Sequence, residues 1–418
     1  MHKFLRIFFQ LTLPVFIAFA VVGCMKDHPL SPENDTPEGY QIDYPWPSLA
    51  SSPWPMNHHD PQGTGRSKFS GASSGLVGWV IDNLITSGGV VIGTDSSVYA
   101  ISSGLQNQLL AIKSSGSVKW KFNNDGKISE SYSTPLVTSD GTIYLTQPME
   151  KSILAINPDG TLKWKYNTAG SVFMSGMNIG PDHTLYFIDN TGKLYALSPE
   201  GYLNWSYVNP EFFSGQGSAI TFSNDGRTLY IPGKNLALFA FNVISREIAW
   251  SFNKGITRSG FSVDNNNNIY FLQTPEDMPT GKSSFFCIME DGREAWHYDF
   301  YYRADVPDIR HMDAAIDKLG NVYFAVDTLY SFDFKGNLRW KLKLDGINSS
   351  PLICDAAGNV YLTTIRENFR LAVNSNGEVI WKVPFNTAGN SYFSSAVGYG
   401  SIIYSVSDGI NSKLYTLR

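Results

Sequence analysis

The 418-residue chain is 43% hydrophobic and 14% aromatic, with 37 glycines and only 17% charged residues, which excludes a disordered chain and reads as all-β with many turns. Its formal net charge of −5 gives it no broad attraction for nucleic acid or anionic lipid, so no nucleic-acid partner is expected.

At the N-terminus, Lys3 and Arg6 precede an apolar run from Ile7 to Val22 that ends in Val21-Val22-Gly23-Cys24. The run is shorter than the ~20 residues of a spanning helix. With small residues before the cut it reads as a signal peptide over residues 1–23. The cysteine directly after resembles the lipobox of bacterial lipoproteins, which implies that Cys24 is acylated and heads the mature chain. The expected membrane contact is this lipid anchor. Loss of residues 1–23 leaves 30 basic against 37 acidic side chains. Residues 24–53, with Pro29, Pro32, Pro37, Pro45, Pro47 and Pro53, read as the lipidated cysteine and an extended tether. Met25-Lys26-Asp27 has no Asp directly after the cysteine, so the expected address is the outer membrane of the cell envelope.

Residues 54–75 form a lead-in, and residues 76–418 carry a repeat. Trp79, Trp120, Trp164, Trp205, Trp250, Trp296, Trp340 and Trp381 recur at intervals of 41–46 residues. A second row, Tyr99, Tyr144, Tyr186, Tyr230, Tyr270, Tyr323, Tyr361 and Tyr404, follows Val, Ile or Leu each time. A third row is small: Ala111, Ala155, Ala196, Ala240, Cys287, Ser331, Ala372 and Thr416. Cys287 thus fills an alanine slot, and Cys354 falls where the second repeat has Thr138, so both thiols are expected free. Glycine stands four residues before most of the tryptophans, in a turn needing positive φ. The fourth repeat instead has Ser245-Arg246 and one extra residue, which predicts a wider turn.

Each unit reads as four strands of about five residues, and a single such sheet cannot bury both faces alone. The last unit, from Ser394, lacks a fourth strand with Trp, while Trp79 lacks a preceding small-residue strand. Both defects vanish if the strand around Trp79 completes the last sheet. The fold expected is an eight-bladed β-propeller of four-stranded antiparallel blades, closed by pairing of N- and C-terminal strands. The tryptophans are read as buried inter-blade packing.

Phrases such as Ile153-Leu154-Ala155-Ile156-Asn157-Pro158-Asp159-Gly160-Thr161-Leu162-Lys163-Trp164 resemble the pyrroloquinoline-quinone (PQQ)-like repeat, and Trp54–Ser67 resembles the lead-in before such propellers. The resemblance implies an eight-bladed ring and spans quinoprotein alcohol dehydrogenases and non-enzymatic lipoproteins, including the propeller subunit of the outer-membrane β-barrel assembly machinery. This chain departs from the enzyme branch: it has no neighbouring cysteine pair, its turns before Trp are not Thr-Gly-Lys, and no Glu/Asn/Asp set converges to hold Ca²⁺. No cofactor, PQQ with Ca²⁺ included, no metal and no catalytic residue are expected.

Fourth-to-first connections and second-to-third loops share one face of a propeller, and the long segments 207–218, 298–312, 273–284 and 102–108 all belong to it. Binding candidates on that face are Arg258, Tyr301, Tyr302, Arg303, Arg310, His311, Tyr392 and Phe393, because Tyr and Arg are favoured at interfaces. His58-His59-Asp60 lacks metal-ligand spacing and reads as structural. Three functions are weighed: a non-enzymatic scaffold for envelope proteins or polymers, a quinone-dependent dehydrogenase of alcohols or sugars, and a glycan-binding lipoprotein, the last motivated by Tyr301, Tyr302, Tyr392 and Phe393.

Overall fold

The repeat folds into eight antiparallel sheets that form a propeller. The computed structural model describes residues 36–418, apart from 83–87, 103–106, 127, 129–132, 174–176, 214, 216–218, 236–237, 258, 274–280, 304–311, 366–367, 385–394, 401 and 407–412. Blade 1 consists of Val91–Ile92, Val98–Ser102, Gln108–Ile112 and Val118–Phe122, and blades 2 to 7 follow in chain order to Val379–Pro384. Blade 8 combines Ala396–Val397, Ile403–Val406 and Lys413–Leu417 with the N-terminal strand Val77–Asp82. Ring closure is as the sequence requires. Val80 faces Tyr415, Ile81 faces Leu414 and Asp82 faces Lys413, and the Arg418 N–H donates to Leu76 O at 2.9 Å.

The three residue rows turn out to be one row across each sheet. In blade 2, Tyr144 lies opposite Ala155, and Ala155 lies opposite Trp164. Because cross-strand partners point to the same face, a small middle residue lets the Tyr and Trp rings meet over it. Their centroids lie 5.5–6.1 Å apart in all eight blades. Cys287 fills this middle position between Tyr270 and Trp296. It and Cys354 are buried and free, and burial pushes both thiols well above their ordinary range. Register places Cys354 opposite Val360, as Val137 lies opposite Ile143, so its counterpart in blade 2 is Val137 and not Thr138.

The tryptophans do join blades, but of the row only Trp381 is buried; the other seven are half-buried. Each indole lies under the last turn of the next blade. A Cβ built on Gly75, Gly116, Gly160, Gly201, Gly292, Gly336 or Gly377 would stand 2.7–2.9 Å from the ring below it. Glycine serves twice there, for positive φ and for the ring. In blade 4 the turn is the wider one expected, closed by the Arg246 N–H on Asn242 O at 2.8 Å, and the Arg246 guanidinium lies over Trp205 at 5.4 Å.

The innermost strands are shorter than the five residues expected, with only two residues in most blades. Blade 7 has two such pieces, Ile347–Asn348 and Ile353–Cys354, both paired with Val360–Ile365. Short inner strands leave backbone amides that need partners from elsewhere. The residues before the ring supply them, as described next. Residues 38–53, expected to be tether, are part of the globular unit Glu38–Arg418, with Gln41, Ser48, Ala50 and Ser52 buried.

Candidate binding site

The lead-in runs over the inner strands and accepts their amides in sequence. Ile92 N–H donates to Trp54 O, Val137 to Pro55 O, Phe222 to Pro61 O, Val263 to Gln62 O, Ile316 to Thr64 O and Cys354 to Gly65 O, all at 2.7–2.9 Å. Every donor holds the same register position, one residue past the partner of the row tyrosine. In blade 3 that position, Ile179, donates instead to Asn178 Oδ1, and the Asn178 amide reaches Pro61 O and Ile220 O, both at 3.0 Å. One segment thereby ties inner strands from blades 1 to 7 to itself.

His58-His59-Asp60 is the knot of this segment. His58 Nε2 lies 3.0 Å from Leu352 O. His59 Nδ1 lies 3.0 Å from Asp60 Oδ2, and Asp60 also accepts the Thr64 N–H at 2.9 Å and the Thr64 hydroxyl. Burial would raise the Asp60 pKa, but the His59 bond, the charges of His59 and Arg66 and the Thr64 hydroxyl together hold it below the usual carboxylate range. The reading of this triplet as structural agrees with these contacts. Arg66, buried, closes the segment with bonds to Asp43 Oδ1 at 3.0 Å and to Ile316 O at 3.4 Å.

Between the lead-in, residues 42–52 and blades 4 and 5 lies a cavity of about 290 Å³. Its wall includes Tyr44, Trp46, His59, Gln62, Asn224 and Asn265. Trp46 is fixed there: its indole N–H donates to Ile179 O at 2.8 Å and its ring lies 5.6 Å from Phe222. Sequence reasoning placed the site on the other face and missed this one. The signal available was that Trp46 and Trp54 stand outside the tryptophan series.

The long-loop face is described only in part. Cys24, Arg258, Arg310, His311, Tyr392 and Phe393 lie outside the described residues. Of the remaining three candidates, Tyr301 is 74% exposed at the end of Glu294–Tyr301, and Arg303 is exposed, its N–H donating to Asp327 Oδ2 at 2.9 Å. Tyr302 is a correction. It is buried, its ring 6.1 Å from Phe300 and its N–H on Gly281 O, because strand alternation turns it into the core where Tyr301 points out.

A family model described as outer membrane protein assembly factor BamB matches residues 58–298 and 149–382, which together cover most of the ring. The chain belongs to the BamB family. Among solved structures, BamB from Moraxella catarrhalis shares 16% identity, covering 82% of this chain and 97% of that one at a TM-score of 0.58. Quinohemoprotein alcohol dehydrogenase from Comamonas testosteroni shares 12% identity, covering 88% and 81% at a TM-score of 0.68. A europium-containing methanol dehydrogenase shares 12% identity, covering 87% and 98% at 0.63. At these identities the likenesses show the fold alone. No curated protein matches by sequence.

Membership of the BamB family leaves the quinone of the dehydrogenase relatives to be tested against this chain's residues. A quinone with Ca²⁺ needs several converging oxygen donors. Among the described residues no three His, Cys, Asp or Glu side chains come together to hold a metal ion.

Proposed function

We propose that this BamB-family propeller is a non-enzymatic binding module of the cell envelope, held to the outer membrane by acyl chains on Cys24 and engaging an envelope protein through its long-loop face. The observation that carries the reading is the blade 5 hairpin. Lys282–Ile288 and Glu294–Tyr301, seven and eight residues long, are the longest strands among the described residues, and they lift Tyr301 into solvent. Exposed Met149 and Val208, on the second-to-third turn of blade 2 and the end of the last strand of blade 3, share that face. Large exposed apolar side chains on a rigid support suit a protein partner.

A photo-crosslinking residue at position 301, in cells carrying the full chain, tests the reading. Discrete adducts with envelope proteins are expected at 301 and not at Tyr202, an exposed site on the opposite face. Equal labelling at both positions would overturn it. The anchor has its own test: labelled palmitate should enter the wild-type chain and not Cys24→Ser, and incorporation in both would remove Cys24 from the proposal.

A further inference from the structure

We propose that the cavity between residues 42–52, the lead-in and blades 4 and 5 is a second binding site, and that it takes a neutral sugar unit. It is on the face opposite Tyr301 and does not depend on the protein-binding reading.

Three observations select the ligand. The first is charge. Asp43 is paired with Arg66 at 3.0 Å, and Asp60 is satisfied by His59 and Thr64, while the Lys68 ammonium lies over the Phe69 ring at 5.6 Å. Two carboxylates therefore stand against two cations in the wall, leaving no net field to hold an anion or a metal cation. The second is open hydrogen-bonding capacity. Among the described residues, Gln62 Nε2 donates to Ser223 O at 3.3 Å and both Asn224 Nδ2 bonds go to blade 5, but Gln62 Oε1 and Asn224 Oδ1 make no hydrogen bond. His59 Nε2 is likewise unused. Gln62 and His59 sit on a segment fixed by backbone bonds to six blades, and Asn224 is held by its bonds to Asp264 and Asn267 of blade 5, so little order is lost when a ligand binds. The third is the aromatic pair: Trp46, locked by its indole N–H, and half-exposed Tyr44 supply flat apolar surface beside the polar groups. Hydroxyl groups around an apolar ring face are what such a wall complements, and about 290 Å³ is the size of one or two sugar rings.

The test is titration of the full chain, in detergent, with cellobiose, maltose and N,N′-diacetylchitobiose, followed by Trp fluorescence and saturation-transfer NMR, with glucuronate and inorganic phosphate as charged competitors. Saturable binding of at least one neutral disaccharide is expected, weakened roughly three- to tenfold in Tyr44→Ala, as for loss of one aromatic contact, and unchanged in Tyr301→Ala. Gln62→Met, which removes the open acceptor at constant length, should weaken it too and decides the matter if Tyr44→Ala fails to fold. A tetrasaccharide that binds as tightly identifies a polymer end, and binding of the disaccharide alone a free sugar; either upholds the site. No saturable binding by any neutral sugar, tighter binding of glucuronate or phosphate, or affinity indifferent to Tyr44→Ala and Gln62→Met would overturn it.

Discussion

The indole N–H of Trp164 donates to Pro199 O in the neighbouring blade at 2.9 Å, and the Trp164 ring occupies the space that a side chain on Gly201 would need. The same bond recurs from Trp79 to Ser114, Trp120 to Pro158, Trp250 to Glu290 and Trp340 to Ser375, so the inter-blade joint is a directed contact as well as an apolar one. Gly201→Ala would force a left-handed φ of 86° on a residue with a Cβ and push that Cβ to 2.7 Å from the ring. A loss of about 2–4 kcal/mol is expected, combining backbone strain and overpacking. Trp164→Phe keeps most of the ring but drops the N–H and should cost less, about 1–2 kcal/mol. Urea midpoints of the two variants check the order; an Ala variant as stable as wild type would contradict the joint described.

The tyrosine row divides into two kinds, and a paired substitution separates them. In blades 5, 6 and 7 the hydroxyl meets a buried aspartate six residues earlier: Tyr270 on Asp264 at 2.9 Å, Tyr323 on Asp317 at 2.7 Å and Tyr361 on Asp355 at 2.8 Å. In blade 4 the residue six before Tyr230 is Asn224, whose amide turns to blade 5, and the Tyr230 hydroxyl is buried with no partner among the described residues. Tyr323→Phe should therefore destabilise by about 1–2 kcal/mol, whereas Tyr230→Phe should be neutral or slightly stabilising, since it removes an unsatisfied group. Thermal melts of the two variants, made side by side, read the difference. Equal losses would show that Tyr230 has a hydroxyl partner after all.

How legible this molecule is depends on what repeats. The Tyr, small and Trp rows were readable because each recurs once per blade, and ring size and closure followed from counting the rows and finding one strand missing at each end of the repeat. Features that stand outside the repeat were harder to read. The lead-in meets the inner strands mostly through its backbone carbonyls, as at Pro61 and Gly65, so its sequence carries little record of which strand each residue meets. Nothing in the composition of residues 38–53 separated a packed segment from a tether, because prolines serve both. Tyr302 was misplaced for a different reason. The loop was expected from residue 298, but the strand runs to Tyr301 and its alternation carries through Tyr302, whose ring is drawn into the core.

Closure makes a sharp prediction about the C-terminus. Among the described residues Val77–Asp82 pairs only with Lys413–Leu417, which on its other side pairs with Ile403–Val406, itself backed by Ala396–Val397. Deleting Lys413–Arg418 leaves two unpaired strand edges and opens the ring between blades 7 and 1, so cooperative unfolding should be lost and limited proteolysis should cut first near the two termini. A truncated chain that melts in one transition at the wild-type temperature would show that blade 8 is dispensable.

Asp60 gives the lead-in a defined pH dependence. Its carboxylate is held below the usual range by His59, Arg66 and Thr64 against the opposing effect of burial. A group whose folded pKa is depressed contributes stability that is present above its unfolded value, about 4, and lost as pH falls through the folded value. Asp60→Asn should cost about 1–2 kcal/mol at pH 7, where the charge-assisted bonds operate. It should cost progressively less below pH 4, where the wild type loses the same contribution by protonation. Denaturant midpoints of both proteins from pH 7 down to pH 3 therefore converge if Asp60 secures the lead-in by charge. Parallel curves would mean that it acts through shape alone, leaving the carbonyl-to-amide bonds of Trp54–Gly65 to hold the inner strands by themselves.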